Sequence, residues 1–588
     1  MRPRISFLLL AAAALVFTAA RLWGAGITDT RHNLSVGGPG PIKSTTEQEL
    51  CIFCHTPHLA RRDVPYLWNR ADSTASYTTY DSSTLYASVG QPSGASKMCL
   101  SCHDGTIALG EVLTRATEIP FAGGIRFMPP GATLLGTDIS DDHPVSFRYD
   151  EALAAAKGEF VSPSSLTGPV RLDREGLLQC TACHDPHDDA NGKFLVVPNN
   201  FSTLCTACHN RTNWPISSHA NSSATWNGAG ANPWPHTPYT NVAENGCENC
   251  HQPHTAAGHA RLLHYVFEED NCLVCHQGNI AAKNIEAELV KPYRHAVQNY
   301  TGVHDPAENF AGVVTKHVEC VDCHNPHQAS GSPASPPDVP GALRGAAGIT
   351  ASGAPVTNAS YTYEVCFKCH ADNNVLSFAA ISRQHPQINT RHEFDLTNPS
   401  YHPVEGVGRN PNVPSLLPPY SVNSVISCTD CHNSDDSPAA GGAGPSGPHG
   451  SRNAFLLERN YTVADNTPES SYEYALCYKC HDRNILLSDA SGFPHQKHVE
   501  NKRAPCAACH DPHGVSATQG NDVNNSHLIN FDLNIVQPNS DGELRFEDRG
   551  TFQGSCYLRC HNEQHRPESY PESLAPLTAP VPPPAPVP

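Results

Sequence analysis

Residues 180–187 read Cys180-Thr181-Ala182-Cys183-His184-Asp185-Pro186-His187, and after seventeen further residues comes Cys205-Thr206-Ala207-Cys208-His209. The same figure recurs 67 residues on. Cys247-Glu248-Asn249-Cys250-His251-Gln252-Pro253-His254 is followed, again after seventeen residues, by Cys272-Leu273-Val274-Cys275-His276. An offset that repeats with its internal spacing intact marks a duplicated unit. Working outward, the chain has 24 cysteines, and every one belongs to a pair followed at once by His. The pairs are Cys51 and Cys54, Cys99 and Cys102, Cys180 and Cys183, Cys205 and Cys208, Cys247 and Cys250, and Cys272 and Cys275. They continue with Cys320 and Cys323, Cys366 and Cys369, Cys428 and Cys431, Cys477 and Cys480, Cys506 and Cys509, and Cys556 and Cys560. Eleven read C-x-x-C-H; the twelfth, Cys556-Tyr557-Leu558-Arg559-Cys560-His561, has one residue more.

C-x-x-C-H is the attachment signature of c-type haem. Two thiols add across the two vinyl groups, and the adjacent imidazole reaches the iron from one face. The residues expected at this proximal position are His55, His103, His184, His209, His251, His276, His324, His370, His432, His481, His510 and His561. No cysteine remains for a disulfide framework. Structural zinc is excluded because it needs four ligands closing one site, whereas each pair here has its own His. The expected cofactor is therefore haem c, about twelve per chain. For Cys556–His561 the alternative is a disulfide beside an incidental His.

The fold class expected is that of a multihaem cytochrome c: mostly coil with short α-helices, little β, and a core of stacked haems. The 588 residues serve twelve sites, mean hydropathy is −0.39, and 51 prolines and 42 glycines favour turns over long elements. Residues 1–25 resemble a secretory signal, with Arg2 and Arg4 ahead of an apolar run from Ile5 to Ala20; a retained membrane anchor is the other reading. Nothing after residue 30 is long or apolar enough to span a bilayer. Export to the periplasm or the outer surface is expected, with no stable membrane span after signal removal. The net charge of −19 argues against nucleic acid as a partner and favours basic redox partners or cationic oxidants. It also serves solubility.

Five motifs extend to C-x-x-C-H-x-P-H, and in each case the following motif lacks the Pro-His. The motifs thus form couples, of which the one at Cys428 and Cys477 departs, having Asn433-Ser434-Asp435-Asp436 in place of Pro-His. Composition divides the chain into a seven-haem region 26–329, a Pro- and Ser-rich linker 330–345, a five-haem region 346–573 and a disordered Pro-rich tail 574–588. The glycine-rich stretch 437–447 reads as a surface loop.

This paired arrangement resembles the doubled C-x-x-C-H cytochromes, close to the cytochrome c3-like and outer-surface multihaem cytochromes of metal-respiring bacteria. Besides the couples, the resemblance rests on His32-Asn33-Leu34-Ser35, Asp142-His143-Pro144-Val145 and Gly554-Ser555-Cys556-Tyr557-Leu558. It implies an electron carrier with low-potential, bis-histidine haems in a closely spaced chain. It also implies that the Cys556 motif still carries haem.

The second axial ligand separates a carrier from an enzyme. After the signal only Met98 and Met128 remain, whereas 34 histidines leave 22 beyond those in motifs. His can therefore fill every distal position. The Pro-His residues His58, His187, His254, His327 and His513 lie three positions past a proximal His, on the same side of a turn. Each is expected to reach a neighbouring haem and not its own. His143, His295 and His402 share His-(Pro/Ala)-Val; His317, His495 and His498 closely precede a motif; and His32 completes the candidate distal set. His219, His236, His385, His449 and His565 are the reserves.

The function expected is electron transfer along about twelve mainly bis-His haems, in respiratory or extracellular electron transfer, with no catalytic residue. Its partners would be other redox proteins or cytochromes, or an extracellular metal or mineral acceptor. Self-assembly into a filament and residence in an outer-membrane barrel partner are also compatible. The rival is a multihaem reductase of nitrite, hydroxylamine or a sulfur oxyanion with one open haem, for which the Cys428/Cys477 couple and the Cys556 motif are the natural places.

Overall fold

The computed structural model describes residues 26–571 apart from 63, 65, 258–259, 300–316, 373–380 and 489–490. The expected signal segment and Pro-rich tail lie outside the described residues.

The backbone is built from the motifs outward. In eight of them the histidine N–H donates to the carbonyl of the first cysteine at 2.8–3.0 Å, closing one helical turn. In three others the turn ends a longer helix: α1 (Gly94–His103), α2 (Glu268–His276) and α3 (Thr362–His370). Their starts follow ordinary helix chemistry. Glu268, Glu269 and Asp270 occupy the positive end of α2, and Glu364 accepts from the backbone N–H of Ser360 and Tyr361 to cap α3. Most of the remaining chain is turns and coil, as the composition implied.

No continuous apolar core joins these turns. Small buried clusters lie beside the motifs instead, such as Phe53, Leu109, Val112, Ile119 and Phe121 by the first couple, and Phe147, Tyr149, Leu178 and Ala182 by the second. The chain forms two compact units, Met1–Val274 and Cys275–Pro588.

The division between the units falls inside the sixth motif, and the Pro- and Ser-rich stretch 330–345 lies within the second unit. That segment is folded: Ser330 N–H donates to Gly341 O and Gly341 N–H to Ser332 O, and a Cβ at the buried Gly341 would collide with Ser330. Proline, serine and glycine were required there by tight turns, not by flexibility. The glycine-rich 437–447 lies mostly at the surface, as expected, but is anchored at its start, where Ser437 is fully buried, and Gly442 and Gly444 leave no room for a Cβ against Asp436.

The largest sheet among the described residues is a four-stranded antiparallel one of β1 (Val536–Gln537), β2 (Arg545–Asp548), β3 (Gly554–Cys560) and β4 (Glu563–Tyr570). β3 is central, with β1 and β2 along one edge and β4 along the other. The last cysteine pair therefore sits on a strand. Val536, Phe546 and Leu558 from this sheet pack with Ala504, Ala508 and Phe531.

Candidate functional site

The site is a series of opposed imidazoles. In unit 1, ring centres of His55 and His187 lie 6.0 Å apart, His32 and His103 6.3 Å, His184 and His254 6.1 Å, and His143 and His209 6.3 Å. In unit 2 the pairs are His324 and His449 at 6.0 Å, His295 and His370 at 6.2 Å, His432 and His513 at 6.1 Å, and His495 and His510 at 6.4 Å. This spacing is too wide for ring stacking. Two imidazole–metal bonds of about 2.0 Å each, with about 1.2 Å from ring centre to nitrogen on either side, put ring centres about 6.4 Å apart. The pairs thus fit one metal ion between two imidazoles.

Which nitrogen faces the gap is set by the backbone. The Nδ1 of His55, His103, His184, His251, His324, His432 and His510 hydrogen-bonds a carbonyl, of Tyr66, Thr133, Lys193, Arg261, Ala342, Phe455 and His527 respectively, at 2.7–3.0 Å. This leaves Nε2 for the metal. Five of these carbonyls belong to a left-handed residue followed by another: Tyr66-Leu67, Lys193-Phe194, Arg261-Leu262, Phe455-Leu456 and His527-Leu528, all with φ between 52° and 69°. Non-glycine residues pay of order 1 kcal/mol or more for that conformation, so its repetition at one structural position marks a functional constraint. Burial pushes His209, His449 and His495 down to about 3, which keeps them neutral as ligands must be.

The opposed pairs follow a rule. Three of the five Pro-His residues face the motif two before their own: His187 follows the third motif and faces the first, His254 the fifth and third, and His513 the eleventh and ninth. His449 obeys it too. It is a Pro448-His449 displaced by the insertion 433–447, follows the ninth motif and faces the seventh, so the couple that departed in sequence conforms in space. His32, His143 and His295 face the second, fourth and eighth motifs from upstream, and His402 lies in electrostatic range of the tenth-motif His481. His58, with no couple before it, is exposed, and His317 and His327 are half-buried beside the seventh motif.

The distal rings are anchored as well. Asp142 holds Nδ1 of His254 at 2.9 Å and Glu393 holds Nδ1 of His513 at 3.0 Å. Burial lowers the pKa of both imidazoles, but the carboxylates more than offset it and both end above the ordinary value.

The thiols adjoin one another in chain order. Cys54 lies in electrostatic range of Cys102, Cys99 of Cys180, Cys183 of Cys208, and Cys205 of Cys247. In unit 2 the run is Cys323 to Cys366, Cys366 to Cys428, Cys431 to Cys477 and Cys480, Cys477 to Cys506, and Cys509 to Cys556 and Cys560. At four of these junctions a basic side chain, invisible as such in the sequence, faces the first partner: Arg70 at Cys54, Lys368 at Cys323, Lys479 at Cys431 and Arg383 at Cys509. Three have carboxylate partners, in Asp322, Glu458 and Asp511. Arg70, 0% exposed, donates to the carbonyls of Ser101, Ala108 and Leu109 and to the Ser101 hydroxyl.

The last motif does not conform. His561 Nε2 bonds Asp465 Oδ1 at 2.8 Å, whereas seven other motif histidines are held by Nδ1 on a carbonyl.

Paired thiols beside an imidazole held by its Nδ1, with a second imidazole opposite, suit a covalently attached porphyrin iron. The doubled CXXCH motif family matches residues 174–213, which hold the couple Cys180–His209. Among curated proteins, none matches the chain. Motif, geometry and match together support a multihaem c-type cytochrome with haem c bound through CXXCH cysteines, and the doubled motif points to electron transfer. No helix among the described residues is long and apolar enough to cross a membrane.

Proposed function

We propose that the protein is an exported electron carrier in which about twelve mainly bis-His haems form a relay in the order of their motifs, within respiratory or extracellular electron transfer. The observation that carries this reading is the succession of neighbouring thiols from motif to motif, four junctions in one unit and five in the other. Haems attached at adjoining cysteines stand close enough for fast transfer. Opposed imidazoles at eight of them leave no coordination site for a substrate. The Cys428 motif, one natural place for an open site, has His513 across from His432.

When bound, haem supplies a one-electron couple. The chain's own residues fix seven motif imidazoles by Nδ1 on backbone carbonyls and set the local charge with Arg70, Asp142 and Glu393. Redox proteins, another cytochrome or a mineral are the fitting partners, and export agrees with haem attachment outside the cytoplasm. Low-temperature EPR of the oxidised protein, calibrated against haem count by intact mass, tests the reading. Twelve haems, all low-spin, are expected; a high-spin haem that shifts with nitrite, hydroxylamine or sulfite would replace the carrier with a reductase.

A further inference from the structure

We propose that the haem on Cys556 and Cys560 is ligated by His565 and His498, and that the motif's own His561 is not a ligand. The inference rests on the multihaem reading above and adds a ligand set that the C-x-x-C-H rule does not contain.

Strand geometry makes the first argument. Elsewhere the motif is one helical turn that sets the histidine beside its cysteines, but Cys556–Cys560 is extended in β3. His561 and Asn562, with φ of 48° and 65°, form the two-residue turn between β3 and β4. Two consecutive left-handed residues are what a tight type I′ hairpin needs. This turns His561 away to Asp465, where its Nε2 is engaged.

Register makes the second. Side chains two apart on a strand share a face, as do directly paired residues. Cys556, Leu558 and Cys560 therefore lie on one face of β3, and His565, paired with Leu558, lies on that same face of β4. The register shift between Cys556 and Leu558 places the extra residue on β4, which brings Glu568 opposite Cys556 without moving the cysteines apart in facing. The face is the one that packs toward Ala508 and Cys509 of the eleventh motif.

The imidazoles make the third. His498 and His565 have ring centres 6.5 Å apart, against 6.0–6.4 Å for the eight opposed pairs above, yet neither belongs to a motif. His498 is anchored through Nδ1 to Pro494 O at 2.9 Å, as the other ligands are, and Phe493 stacks on its ring. His498 precedes His565 by 67 residues, while His143 precedes His209 by 66 and His32 precedes His103 by 71. The pair thus occupies the place of an even-motif pair in the repeat, with the proximal histidine moved from one to five residues past the second cysteine.

Attachment needs no further reagent. Each thiol adds its S–H across one vinyl C=C, forming a C–S bond while the hydrogen goes to the neighbouring carbon, so no electrons leave the pair.

The experiment combines intact and peptide mass with low-temperature EPR on the full-length wild type and on His565→Ala, His498→Met and His561→Ala. We expect haem mass on the peptide containing Cys556 and Cys560. His565→Ala should keep twelve haems and turn one-twelfth of the iron high-spin, and His561→Ala should keep every haem low-spin. His498→Met, which retains a ligand and volume, should replace one bis-His signal by a His/Met one and serves if His565→Ala does not fold. Eleven haems, with none on that peptide, overturn this proposal alone. So does a high-spin haem in His561→Ala, or unchanged spectra in the His565 and His498 variants. A protein without haem would instead overturn the multihaem reading.

Discussion

Replacing Arg70 with Met should lower the reduction potential of the first two haems by tens of millivolts. Arg70 is fully buried, its guanidinium is held by three carbonyls and a hydroxyl, and it lies in electrostatic range of both Cys54 and Cys102. A positive charge favours the reduced iron, which carries one more electron. At about 8 Å and an effective dielectric constant near 20, one charge is worth about 2 kcal/mol, which for a one-electron couple is about 90 mV, shared unequally by two sites. Lys368, Lys479 and Arg383 stand at equivalent junctions with carboxylates beside them, so their removal should move potentials less. Arg70→Met also leaves three carbonyls short of a donor, costing about 1–3 kcal/mol for each that finds no water, and a lower melting temperature accompanies the shift. Arg70→Lys keeps the charge and separates the two effects. Spectroelectrochemical titration reads the result as two of twelve haems moving down. The reasoning is refuted if Arg70→Met keeps twelve low-spin haems and its titration superimposes on that of the wild type, or if Arg70→Lys shifts as far.

Further outcomes follow from the same geometry. Asp142→Asn and Glu393→Gln remove the carboxylates on Nδ1 of His254 and His513; each should raise the potential of one haem, the third and the ninth, by tens of millivolts in the same titration. His449→Ala should give one high-spin haem by EPR, at the seventh motif, whereas His58→Ala should leave every haem low-spin. Glu405 is held up to about 7 by burial and by Asp395, against an ordinary 4.5, and its Oε1 has no partner. Its folded value exceeds its unfolded one, so its contribution is full below about pH 4.5 and is lost as pH rises through about 7. Thermal unfolding across that window should show a decline that Glu405→Gln flattens.

The cysteine pairs were legible because haem attachment fixes residue types and spacing together, and the placement of His187, His254 and His513 opposite other motifs' histidines because proline fixes their spacing from a motif. His449 was obscured by the insertion 433–447, which breaks the spacing while leaving Pro448-His449 intact. His561 keeps its place in sequence, but Cys556–Cys560 lies in a strand and not in a helical turn. That strand carries its own signal, since Phe546, Tyr557 and Leu558 suit a pleated surface and His561-Asn562 a tight hairpin. The carbonyls that hold Nδ1 belong to residues as different as Tyr66, Lys193 and Arg261. They act through backbone conformation alone, which no side-chain pattern announces. Arg70 reads as a surface cation until its burial is seen.

The rule that a Pro-His faces the motif two before its own has a mechanical result. In unit 1 iron would clasp His55 to His187 and His184 to His254; in unit 2, His324 to His449 and His432 to His513. Within each unit these spans overlap, each clasp starting before the previous one ends. A protease that cut a single loop would leave fragments still riveted together through metal, and the nicked protein would run whole until its iron bonds were broken. The same overlap dictates maturation, because the first haem waits for its second imidazole until residue 187 has emerged.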